Sequence, residues 1–175
     1  MGIGQFVAGK TGENPPTGPH RPADDPARAQ AEAILRAADS AVLAVLDAQG
    51  WPMTSRIAVQ RDAAGGLWAM LSGLALHTAA LRRDPRAALL IDAPAAPDAR
   101  GIALARARLS LQVEAQELRD PAEDATLRAD WLARDPKAAV YARLPDFRLW
   151  RLQPRGGLLN AGFGRAYQLG PADLS

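Results

Sequence analysis

Cysteine is absent from the sequence. Disulfides, thiolate nucleophiles, iron–sulfur ligation and cysteine-based zinc sites are thereby excluded. Histidine is almost as scarce: His20 and His77 are the full complement, too few for a histidine-rich metal centre, and no metal site is expected. Lysine is reduced to Lys10 and Lys137, so the net charge of +2 rests on arginine. No basic block with interleaved aromatics marks a nucleic-acid surface. Aromatics make up 5% of the chain, and alanine is so abundant that composition overstates helix propensity. No apolar run approaches membrane-spanning length, and no basic flank followed by an apolar core marks a secretory signal. The expectation is a cytoplasmic protein with neither a membrane nor a nucleic-acid partner.

The 175 residues, 48% of them hydrophobic, suit one domain with one sizeable core. Met1 to Ala23 is rich in Gly, Pro and Thr without periodicity, so residues 1–23 are expected to form a disordered arm, followed by a domain over 24–175. Asp24–Asp25–Pro26 starts a helix, with carboxylates in the cap region and Pro in the first turn. It should run to about Ala38 and bury Ala31, Ile34, Leu35 and Ala38. Ser40–Leu46 reads as a buried strand, Asp47–Gly50 as a hairpin turn, and Met53–Arg61 as an alternating strand with Ile57 and Val59 on one face and Arg56 on the other. Leu67–Leu71 and Arg86–Ile91 are further strands. Ile102 to Gln116 carries the longest period-two pattern, with Arg106 and Arg108 on its polar face. Pro121 opens a helix to about Arg134, a short helix covers Pro136–Arg143, and Phe147–Leu152 and Gly156–Leu159 read as two more strands. About six short antiparallel strands with peripheral helices predict a mainly β fold, a small barrel.

The chemistry centres on Leu67–Pro85. A strand ends in Ser72–Gly73, and a short helix from Ala75 to Arg83 follows, stopped by Pro85. Such a helix points unpaired N–H groups past the strand end, where an anionic group such as a phosphate is the natural guest. His77 and Thr78 lie in its first turn. Taken alone, the junction also reads as a simple connector with His77 on the surface. Gly162 and Gly164 lack the third glycine and the βαβ setting of a dinucleotide fingerprint, since Tyr167 stands where that glycine belongs. No Walker pattern or nucleophile elbow is present. What remains is the convergence of Arg56, Ser72, His77 and Thr78 on one phosphate.

This arrangement resembles the pyridoxamine 5'-phosphate oxidase-like FMN-binding split-barrel family. The shared features are Arg-x-x-Val (Arg56–Val59), a strand ending in Leu71–Ser72, a basic residue and its neighbour opening a helix (His77–Thr78), and Asp84-Pro-Arg-Ala-x-Leu89. FRLWRL (Phe147–Leu152) and AGFGRAYQLGPADL (Ala161–Leu174) are more similar to the heme-utilisation branch of that family. The resemblance implies a six-stranded antiparallel split β-barrel and a homodimer with FMN at the subunit interface. It also implies an FMN-dependent oxidoreductase of unknown substrate, with the redox chemistry supplied by the flavin. Arg56, Ile57, Leu71, Ser72, His77 and Thr78 would bind FMN from one chain. Arg108 would stand beside the flavin ring, and Asn160, Phe163 and Arg165 match the C-terminal region that approaches it. A heme-binding or heme-degrading protein of the same fold, or a flavin-binding module without turnover, are the alternatives. His77–Thr78 stands where the oxidases proper carry Arg-Lys, and no histidine follows His77, whereas heme-degrading relatives use a C-terminal histidine as iron ligand.

Overall fold

The structure, a computed structural model, describes residues 20–94, 102–162 and 164–174. The first strand, β1 (Arg21–Pro22), is followed by helix α1 (Asp25–Ala37). The Asp24 side chain accepts from the Ala27 N–H at 2.9 Å and caps α1. Ala27, Ala31, Ile34 and Leu35 are the buried stripe that helical spacing requires. The expected arm boundary therefore moves. Arg21–Pro22 pair with the end of the chain, and Ala23 is part of the core. Residues 1–19 of the expected arm lie outside the described residues.

Strands β2 (Ser40–Leu46) and β3 (Pro52–Arg61) form the expected hairpin, with Gly50 at φ 85° in its turn. Strand β4 (Leu67–Ser72) pairs with β3, helix α2 (Leu76–Arg83) follows, and β5 (Arg86–Asp92) pairs with β2. The long alternating segment is only partly strand. Residues Ala103–Ala105 form a 3-10 turn, and β6 begins at Arg108 and runs to Glu117. Beyond the pairs Asp92↔Arg108 and Arg108↔Asn160 the pairing is reduced to one bond, from the Ala93 N–H to the Ala107 carbonyl at 2.8 Å. Alternation without a partner does not hold a strand, so Arg106 falls outside the sheet.

Helix α3 (Pro121–Arg134) is capped by Asp120, which accepts from the Ala122 and Glu123 N–H groups. A 3-10 turn at Pro136–Ala138 leads into α4 (Ala139–Ala142). The two strands expected near the C-terminus are one 14-residue strand, β7 (Phe147–Asn160). Its register shifts between Gln112↔Gly156 and Val113↔Pro154, so Arg155 is an extra residue in a bulge. Pro154 and Gly156 read as punctuation in the sequence, and the bulge is what accommodates them. Strand β8 (Ala166–Leu169), which periodicity did not reveal, closes the element order.

The order β7–β4–β3–β2–β5–β6, with β6 pairing back onto β7, closes a six-stranded antiparallel barrel. β8 and β1 extend the sheet beyond β7. The interior is mainly aliphatic, with Trp150 among it: Leu35, Leu43, Leu71, Leu89, Ile91, Leu109, Leu111, Leu152 and Leu159 are fully buried. Each such side chain contributes roughly 1.5–3 kcal/mol by burial. A second, smaller core lies outside the barrel wall. Trp68, Met70 and Leu149 point outward from β4 and β7 and are covered by Trp131 and Ala142 of α3 and α4. β4 is thus buried on both faces, which explains its unbroken apolar run LWAML. No helix among the described residues is long and apolar enough to cross a membrane.

Candidate functional site

The ladder between β3 and β4 stops at Ala58↔Met70. Past that point β3 stays with β2, while β4 stays with β7 as far as Ser72↔Phe147. The barrel wall splits there. Arg56 and Ile57 form one lip of the cleft, and Leu71 and Ser72 form the other. His77 from α2, Tyr141 from α4 and Phe147 complete a cavity of about 260 Å³. Five of the residues expected from the sequence therefore meet at one place.

The polar groups here are already engaged with one another. The Ser72 hydroxyl donates to Asp146 Oδ2 at 2.5 Å and accepts from the Leu74 N–H at 3.2 Å. The Thr78 hydroxyl donates to the Ser72 carbonyl at 2.6 Å, and Thr78 is fully buried. Thr78 thus shapes the strand-to-helix turn and does not face the cleft. His77 is half-buried, and its Nε2 is covered and without a partner. Burial holds its pKa below the ordinary 6.5, so the imidazole is neutral at neutral pH. Arg56 is exposed, and no ion pair engages it among the described residues. The cleft therefore has apolar walls, one free guanidinium, a neutral imidazole and a carboxylate behind Ser72. That set fits a flat apolar ring with an acidic arm at Arg56 better than it fits a phosphate dianion at Ser72.

The other expected residues lie elsewhere on the same chain. Arg108 and Asn160 are a cross-strand pair on β6 and β7, and neither lines the cleft. The Arg108 guanidinium folds back onto the carbonyls of Leu104 and Arg106, and Arg165 folds back onto the Ala161 carbonyl at 2.7 Å. Phe163 lies outside the described residues. Asp146 and Tyr141 were not legible in the sequence, because only the β4–β7 register and the α3–α4 packing carry them to the cleft. A larger cavity of about 750 Å³ lies between the ends of β6 and α2 and the start of α3. Two of its charged groups, Arg82 and Glu117, pair with each other. Among the described residues no group of three or more His, Cys, Asp or Glu gathers to hold a metal ion.

No curated protein matches the chain. Among solved structures, a protein of unknown function from Agrobacterium tumefaciens is 32% identical with a TM-score of 0.74, covering 87% of this chain and 61% of its own. A heme binding protein from Mycobacterium smegmatis is 28% identical with a TM-score of 0.73, covering 88% of this chain and 60% of its own. HutZ, the heme storage protein of Vibrio cholerae, is 25% identical with a TM-score of 0.63, covering 77% of this chain and 93% of its own. The chain thus spans about three fifths of the length of the first two. The pyridoxamine 5'-phosphate oxidase family model matches residues 27–160, across the barrel and the cleft. The chain, with its closed six-stranded barrel split between β3 and β4, belongs to the pyridoxamine 5'-phosphate oxidase family.

Proposed function

We propose that the chain binds heme in the cleft between β3 and β4. The observation that carries this reading is that the expected phosphate cradle is internally occupied, while the walls around it are apolar and one arginine stands free. Ile57, Leu71 and Phe147 offer a slot for a flat ring, and Arg56 offers a guanidinium for an acidic side arm. His77 offers a neutral imidazole, the form that ligates iron. Its Nε2 is covered in the free chain, so the ring has to turn to reach a metal. The heme-binding and heme-storage proteins among the structural relatives support the same reading. Heme would supply its iron centre; the residues named here supply binding and orientation.

FMN is the second reading. Family membership favours it, as does Arg56 beside the first turn of α2, whose leading N–H groups have no intrahelical partner. In this reading the chain is an FMN-dependent oxidoreductase or a flavin-binding module. Arg108, Asn160 and Arg165 do not line the cleft within one chain. A two-fold homodimer could place them over the partner's cleft, and we include that dimer in the proposal. Native mass spectrometry of the full chain with hemin and with FMN tests the cofactor and the assembly together. The expected species is two chains carrying two hemes, with loading reduced in Arg56→Ala and the Soret band shifted in His77→Ala. Loading with FMN but not hemin would overturn the heme reading, and a monomer that retains its ligand would overturn the shared site.

A further inference from the structure

We infer that Asp146 is a specificity-determining residue that closes the cleft to phosphate-bearing ligands. The inference rests on the cleft being the ligand site, but not on the ligand being heme. Ser72 sits at the strand end where a phosphate would approach the first turn of α2. Its hydroxyl proton is committed to Asp146 Oδ2 at 2.5 Å, and its oxygen already accepts from the Leu74 N–H. Asp146 is held in place twice over. Its own carbonyl accepts from the Gly73 N–H at 2.7 Å, and the neighbouring Phe147 pairs with Ser72 across β4 and β7. A Cβ at Gly73 would stand 3.2 Å from the Asp146 carbonyl oxygen, so the two segments run against each other without slack.

Among the described residues Asp146 has no ion-pair partner, and the nearby imidazole is neutral. A phosphate at Ser72 would displace the hydroxyl from its carboxylate and then sit beside that carboxylate. Like charges at such range repel appreciably even with partial solvent screening. A ligand whose acidic group stays at Arg56, on the opposite lip, avoids this conflict.

FMN and riboflavin share one ring system and differ in the phosphate, so their affinity ratio reads the phosphate alone. Flavin fluorescence titrations of the full wild-type chain should show FMN binding no tighter than riboflavin. Asp146→Asn retains an acceptor for Ser72 and removes the charge. It should tighten FMN by about tenfold, roughly one partly screened like-charge contact, and leave riboflavin unchanged. The gain should shrink as salt is raised. Ser72→Ala, which keeps the carboxylate, should not raise the ratio. Asp146→Ser is the neutral substitute if Asp146→Asn does not fold. Wild-type protein that already prefers FMN by tenfold would overturn the inference. So would an unchanged ratio in the neutral variants, a raised ratio in Ser72→Ala, or neutral variants that bind no flavin at all. A shifted ratio in a chain that takes up no hemin would sink the heme reading and leave the role of Asp146 standing.

Discussion

Burial holds the pKa of His77 below its ordinary 6.5, and no partner compensates. In the unfolded chain the same imidazole titrates near 6.5. As pH falls below that value the unfolded state takes up the proton first, so stability is lost down to the point where folded His77 itself titrates. Above about pH 6.5 His77 contributes no slope. Urea unfolding at pH 7.5 and 5.5 should show a larger acid loss in wild type than in His77→Gln. Equal losses in the two proteins would mean that His77 is not the group responsible. The same proton competes with iron, so in the proposed heme complex ligation through this imidazole should weaken only below that window, where folded His77 itself takes up the proton.

At the scale of elements, the barrel closes where β6 meets β7, and Gly157 sits in that seam. A Cβ there would lie 2.5 Å from the Ser110 carbonyl oxygen and 2.7 Å from Leu111 Cδ2. A backbone oxygen in a ladder cannot withdraw without opening the ladder. Gly157→Ala should therefore lower stability by roughly 1–3 kcal/mol, read as a reduced denaturant midpoint at unchanged slope. A midpoint equal to wild type would show that the seam is looser than the structure has it. Helix α2 makes the complementary case. Its 8 residues have no side-chain N-cap, and it is held by Thr78 bonded to the Ser72 carbonyl and by Ala80 and Leu81 in the core. Tertiary packing, not local capping, positions the turn that borders the cleft.

At the scale of the molecule, Arg61 ties three remote segments together. It points into the barrel from β3, pairs with Glu32 of α1 at 3.0 Å and donates to the Leu174 carbonyl at 3.4 Å. The Arg61 side chain is 2% exposed and that of Glu32 is 34% exposed. Removing Glu32 leaves a buried, unbalanced guanidinium. A fully buried pair broken this way costs about 3–5 kcal/mol, and the exposure of Glu32 brings the expectation for Glu32→Ala to about 2–3 kcal/mol. Replacing both residues together, as Glu32→Leu with Arg61→Met, should recover most of that loss in thermal unfolding. A double variant no more stable than Glu32→Ala would count against this account.

The local signals in the sequence were sufficient for much of the architecture. Asp24 and Pro26 set the start of α1, β2 was legible to its end residues, and α3 was bounded correctly at Pro121 and Arg134. Caps, turns and periodicity act over a few residues, so they survive translation into structure. Chain order likewise pointed to Arg56, Ser72 and His77 meeting in one place, though Thr78 turns to the Ser72 carbonyl, and the family resemblance added Ile57 and Leu71. Tertiary structure decided the rest. Alternation alone extended β6 back to Ile102, but a strand lasts only as long as its neighbours, and those end at Asp92 and Asn160. Punctuation divided β7, but a bulge absorbs Pro154 and Gly156 within one continuous strand. The chemistry of the cleft turned on Asp146, 74 residues from Ser72 in sequence. Nothing near either residue announces that contact, because a carboxylate acts through space and its neighbours are set by the register of β4 against β7.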